Sequence, residues 1–267
     1  MTNGTAALLA SVIDPPSFVP VLARVGGVVT FFPLLGGEAV PERFRIFLAA
    51  ALAWILRPFV PAGARLDPAA GLGVLVARIA GELLVGAALG FSAQVALAAF
   101  EAAGQFVGFQ MGMTLSGIID PINGEQTSML SVLYRLVAMA LYFSLDAHYV
   151  FLYALRDSYA WVGPGVASPG AGFAAVVMRV SAGLFILALR IAAPALVIAI
   201  VIDVALLLAA RALPQVNLLI LGYPVKLAVG FLAVAGGLVI VPRLAGESLM
   251  TAMDQARALA TGLAAAR

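Results

Sequence analysis

Leu213-Pro214-Gln215-Val216-Asn217-Leu218-Leu219-Ile220-Leu221-Gly222-Tyr223-Pro224-Val225-Lys226 is a polar, twice-prolined break inside an apolar stretch that runs from Phe173 to Val241. Pro214 and Pro224 each remove a backbone donor, so no single helix passes through both without a kink or a stop. Gln215, Asn217 and Lys226 set amide and ammonium groups beside hydrocarbon, where each unpaired polar group is costly. A break of that cost implies a partner for those groups, or a function.

Outward from the break, the composition names the solvent. The 267 residues are 63% hydrophobic and 10% charged, with a mean hydropathy of +1.09. A soluble domain carries roughly a quarter charged residues, so the chain reads as an integral membrane protein. Its apolar residues come in long blocks without period-2 alternation, which selects helices over a transmembrane barrel. With no cysteine, disulfides, thiol catalysis and cysteine metal sites are excluded. Basic residues are scattered singly, so nothing tracks a nucleic-acid backbone. No positive residue precedes Arg24, which argues against a cleaved signal peptide. No polar block is long enough to fold alone, so residues 1–267 are expected to form one membrane domain.

The apolar pattern along the chain predicts an all-α protein with about six hydrophobic helical segments. Asp14-Pro15-Pro16 is a turn signal, and Phe18 to Leu35 a first span closed by Gly36-Gly37. Pro41 restarts the chain as a first-turn proline, and Phe44 to Val60 is a second span. Leu72 to about Ile119 is one long helical pattern, closed by Asp120-Pro121. Thr127 to Leu155 follows, then Phe173 to Ala212, the opening break, and Leu218 to Val241. Residues 243–267 alternate small or apolar residues with charges, an amphipathic helix. A span takes about 20 residues, so blocks 72–119 and 173–212 are either folded-back half-helices or long helices protruding from the bilayer. Pro194 offers a kink in the second. The arginine distribution favours a cytoplasmic C-terminus.

On block 72–119, Gly86, Gly90, Gln94, Glu101, Gly104, Gly108 and Gly112 recur at intervals of three, four or seven and so share a face. Such a glycine face lets another backbone approach, either within one bundle or from another subunit. Gln94 and Glu101 need polar partners there. Phe106, Phe109, Met111 and Met113 among these glycines could form a deformable seal or ordinary core filling. Arg135, Tyr142, Asp146, Tyr149 and Tyr153 fall along one face if 127–155 is a single helix. Arg135 and Asp146, like Arg179, Arg190 and Asp203, are intramembrane charges that each need a partner or an interface. His148 has no nearby ligand cluster and no nucleophile, so a structural hydrogen bond suits it better than metal or general-base chemistry. No phosphate-cradling loop and no hydrolase motif is present. No catalytic, cofactor or metal site is expected.

Several stretches together resemble the FliR family of flagellar export-gate proteins and their injectisome counterparts, the SctT proteins. They are Arg24 to Pro41 with Arg43-Phe44-Arg45, Ala103-Gly104-Gln105 to Asp120-Pro121, Asp146-Ala147-His148 with Ser158 and Pro164, and Ala192-Ala193-Pro194. The pair Pro214-Gln215-Val216-Asn217 and Gly222-Tyr223-Pro224-Val225-Lys226 is the most specific. The similarity covers about Val21 to Val241. It implies a subunit of a type III export gate in the inner membrane, at the flagellar basal body, packed in a hetero-oligomer with FliP and FliQ. It also implies contact with FlhB and FlhA, unfolded exported flagellar proteins as substrates, membrane lipid around it and no nucleic acid. A plug for the central channel would come from about Gly104 to Asn123, with Gly104, Phe106, Gly108, Phe109, Met111, Gly112 and Met113 as its candidates. Gly86, Gly90, Gln94, Glu101, Arg135, Asp146, Arg190, Asp203, Pro214, Gln215, Asn217 and Lys226 become candidates for subunit packing. A competing reading is a secondary transporter with broken helices near Pro194 and Pro214 and with Arg190 and Asp203 as site charges. It would need an inverted repeat, and the sequence carries no convincing one.

Overall fold

The computed structural model describes residues 15–33, 40–60, 69–113, 128–165, 167, 170, 172–212 and 218–263. Its helices are α1 (Pro15–Phe31), α2 (Glu42–Leu56), α3 (Leu72–Gln110), α4 (Met129–Ser144), α5 (Ala147–Trp161), α6 (Phe173–Ala212), α7 (Leu218–Gly237) and α8 (Val241–Gly262), with a 3₁₀ turn at Arg57–Phe59. The protein is an all-α membrane protein.

Helix boundaries follow backbone chemistry. Pro15 and Pro16 open α1, where the missing N–H groups would have been unsatisfied in any case. Pro41 is the cap residue before α2, extended at ψ 138. Pro194 lies inside α6 and Pro224 inside α7. α6 ends at Ala212 and α7 begins at Leu218; of the opening break, residues 213–217, and with them Pro214, Gln215 and Asn217, lie outside the described residues.

Two expectations change. Block 127–155 is two helices, because the chain leaves α4 at Leu145 and Asp146 adopts a left-handed φ of 54°. Aspartate tolerates that conformation where most side chains do not, and the Leu145 N–H still closes α4 by donating to the Leu141 carbonyl at 2.8 Å. The face proposed for Arg135, Tyr142, Asp146, Tyr149 and Tyr153 is thus broken at Asp146. The second change concerns spans. Among the described residues, two helices, α3 and α6, are long and apolar enough to cross a membrane, or up to four if the bent pairs α4–α5 and α7–α8 each count as one. The sequence pattern had offered about six. Helices α1 and α2, at 17 and 15 residues, fall short of the ~20 that a span takes. Neither long block folds back: α3 has 39 residues and α6 has 40, so each is about 60 Å long, twice the hydrocarbon thickness.

The chain divides into two compact units, and α3, α6 and α8 contribute to both. The first comprises the described residues of Met1–Val95, His148–Val180 and Thr251–Arg267. Its core is built on helical periodicity: Val21, Val25 and Val29 of α1 meet Ala49, Ala53 and Leu56 of α2, with Leu89, Leu155, Tyr159 and Ala256. The second comprises the described residues of Ala96–Ala147 and Ser181–Met250. Glycines set its close approaches. A Cβ at Gly222 would meet Leu206, and one at Gly237 would touch Pro194. The amphipathic tail is α8, whose Ala245, Ser248, Ala252, Ala256 and Leu259 are buried at intervals of three and four.

Candidate functional site

In the second unit, the glycine face of α3 is in use within the chain. A Cβ on Gly104 would come within 2.5 Å of the Ser131 Cα and 2.6 Å of the Leu130 carbonyl oxygen in the first turn of α4. One on Gly108 would collide with Ser128 Oγ, the hydroxyl that caps α4 by accepting from the Leu130 N–H at 3.3 Å. Gly112 plays another part. Its φ of 77° ends the helix, and the Met113 N–H turns back to the Gly108 carbonyl at 2.9 Å, a left-handed cap that glycine favours.

The plug candidates therefore divide by environment. Gly104, Gly108 and Met111 are buried, Phe106, Gly112 and Met113 are half-buried, and Phe109 is 67% exposed. Met111 is seated on α7, where a Cβ on Gly230 would lie 2.5 Å from its Cε. The remainder of the candidate stretch, 114–123, lies outside the described residues.

One residue before Met111, Gln110 Nε2 donates to Asp203 Oδ2 at 2.8 Å. Lys226 Nζ lies 2.7 Å from Asp203 Oδ1 and donates to Oδ2 at 2.9 Å. Asp203 and Lys226, each expected to need a partner, have each other, while Gln110 went unnoticed because its partner Asp203 is 93 residues away. Of the other packing candidates, Gln94, Arg135, Asp146 and Arg190 are exposed and Glu101 is half-buried. Arg135, Asp146 and Arg190 have no ion-pair partner among the described residues.

Gly86 and Gly90 belong to the first unit, where they carry α1 across α3. A Cβ on Gly86 would run into the Arg24 carbonyl oxygen, and one on Gly90 would come within 2.7 Å of the Val28 carbonyl oxygen. One turn before Gly86 stands a residue that sequence reasoning missed. Glu82 and Arg24 are both fully buried, and Arg24 Nε donates to Glu82 Oε2 at 2.6 Å. Arg24 Nη1 donates to Ser158 Oγ at 3.0 Å and Nη2 to the Val162 carbonyl at 3.2 Å. The Gly165 N–H donates to Glu82 Oε1 at 2.7 Å, and the Arg24 guanidinium lies 4.0 Å over the Tyr159 ring. The glycine spacing was the available signal, since Glu82, Gly86 and Gly90 repeat every four residues.

Among the described residues, Arg24 with Glu82 and Asp203 with Lys226 and Gln110 pair with one another, and the glycines join helices. Residues 16–252 match the family described as "Bacterial export proteins, family 1". Among curated relatives, the flagellar biosynthetic protein FliR of Bacillus subtilis (strain 168) is 31% identical over 226 residues, covering 83% of this chain and 86% of that protein. FliR of Pectobacterium carotovorum subsp. carotovorum is 27% identical over 86% of this chain and 87% of its own. FliR of Escherichia coli (strain K12) is 26% identical over 78% and 79%. The match spans α1 to the middle of α8, and the chain belongs to the FliR family of bacterial export proteins.

Proposed function

We propose that this chain is a core subunit of the flagellar type III protein export gate, lining part of the central channel and supplying part of its plug. On this reading it assembles with FliP and FliQ in the inner membrane, within the flagellar basal body, with FlhB and FlhA as neighbours and unfolded flagellar proteins as the cargo. The family match over residues 16–252 carries the reading. The flagellar names of the relatives above favour it over an injectisome subunit.

The end of α3 supports the plug assignment. Methionine and phenylalanine on a glycine-rich backbone give an apolar surface that re-packs at low cost, and an apolar constriction stops ions by excluding water. Phe109 projects from a segment whose neighbours Gly108 and Met111 are buried, so the seal has an anchored side and a free side. The subunit works by packing and opening. It forms no covalent intermediate, and the energy for export comes from elsewhere.

Deleting Phe106 to Met113 tests this. In cells carrying the complete gate, the deletion is expected to raise ion conductance while the subunit still co-purifies with its partners. Unchanged conductance in an assembled gate would remove the plug assignment.

A further inference from the structure

Gln110 and Met111 are consecutive: Gln110 donates to Asp203 of α6, which is paired with Lys226 of α7, and Met111 packs at Gly230 of α7. Lys226 and Gly230 lie one helical turn apart and so share a face of that helix. Gly230 receives the Met111 thioether, and Lys226 holds the Asp203 carboxylate to which Gln110 donates. Asp203 is 42% exposed at its side chain and Lys226 16%. The ion pair already neutralises both groups, so the Gln110 amide is an addition that neither charge requires. It joins the polar pair to the last residue of α3, directly ahead of the turn at Met111–Met113.

We propose that Gln110, Met111, Asp203, Lys226 and Gly230 form a clasp that keeps the base of the plug seated. Gate opening breaks the Gln110–Asp203 hydrogen bond and unseats Met111. Lys226 keeps the Asp203 carboxylate paired throughout, so opening strands no charge in an apolar setting, where that would be expensive. The device can then close again without a partner having to deliver a counter-ion. It rests on the plug reading given above.

The test measures ion conductance per assembled gate in cells with the full set of partners. Gln110→Ala is expected to raise the leak on the order of tenfold, the lower end of what losing one hydrogen bond to a charged group does to an equilibrium. Gln110→Glu, which sets a second carboxylate against Asp203, should leak at least as much. Combining Gln110→Glu with Asp203→Asn exchanges acceptor and amide and should restore closure, which a merely structural role for these side chains does not foresee. Because the chain has no cysteine, Met111→Cys with Gly230→Cys gives an independent readout. Oxidation should arrest secretion of flagellar protein into the medium, and a reductant should restore it.

The Phe106–Met113 deletion serves as the reference. If it leaks while Gln110→Ala does not, or if the cross-linked gate secretes normally, the clasp is overturned and the plug survives. If the deletion itself does not leak, the plug fails and the clasp with it. Should Gln110→Ala not accumulate, the cysteine pair decides alone.

Discussion

Arg24 and Glu82 are a fully buried pair, and burying two ions costs several kcal/mol each before their attraction is counted. The site offsets this by leaving little of either charge unsatisfied. Three guanidinium nitrogens donate, both carboxylate oxygens accept, and an aromatic face covers the cation. Removing one partner is therefore the severe change. Glu82→Leu should destabilise the protein by about 3–5 kcal/mol, whereas Arg24→Met combined with Glu82→Leu should recover most of that. Unfolding midpoints in detergent check both, and a double variant as unstable as the single one would refute the account. The spacing of Glu82 with Gly86 and Gly90 marked the face, but the pairing itself was not legible, because the two residues are 58 apart and a lone arginine carries no mark of its partner.

Among elements, the contact of α1 with α3 depends on glycine at a backbone crossing. Gly86→Val should cost about 1–3 kcal/mol, the range for overpacking, since its Cβ meets the Arg24 carbonyl and not a flexible side-chain end. Protease sensitivity of the purified chain would report the loosened contact, and an unchanged digestion pattern would count against it. Here the sequence was informative: the apolar runs marked α3 and α6, and the repeat of glycines marked the face of α3. It could not reveal the break at Leu145–Asp146, which contains neither proline nor glycine and rests on a positive φ at one aspartate. Nor did it foresee that Gly112 ends a helix while Gly104 and Gly108 admit a neighbour, since all three share one spacing and differ only in backbone conformation.

Across the whole chain, the two long helices differ in how much of them the chain itself covers. In the most apolar window of α3, 61% is buried, against 22% for α6. Val197, Val201, Val204 and Leu208 are all exposed and recur every three or four residues, so α6 presents an apolar face to whatever surrounds it. Val201→Lys should reduce recovery of the assembled complex from membranes several-fold, because a lysine in hydrocarbon costs about 2.5–3.5 kcal/mol. Unchanged recovery would place that face against water. Hydropathy scores apolar content and not helix length, so it counted α1 and α2, of 17 and 15 residues, beside the much longer α3 and α6.

The Arg24 cage also has an order in time. Arg24 is synthesised first, its carboxylate 58 residues later, and the serine and carbonyl that complete it 134 and 138 residues later. During insertion the guanidinium must stay near water until the chain has passed Val162. A chain stopped short of that point carries a cation with two of its three hydrogen-bond acceptors missing, in a place where hydrocarbon will not hold it. The buried network is thus a record of synthesis past Val162, closed only in a chain that has been made at least that far.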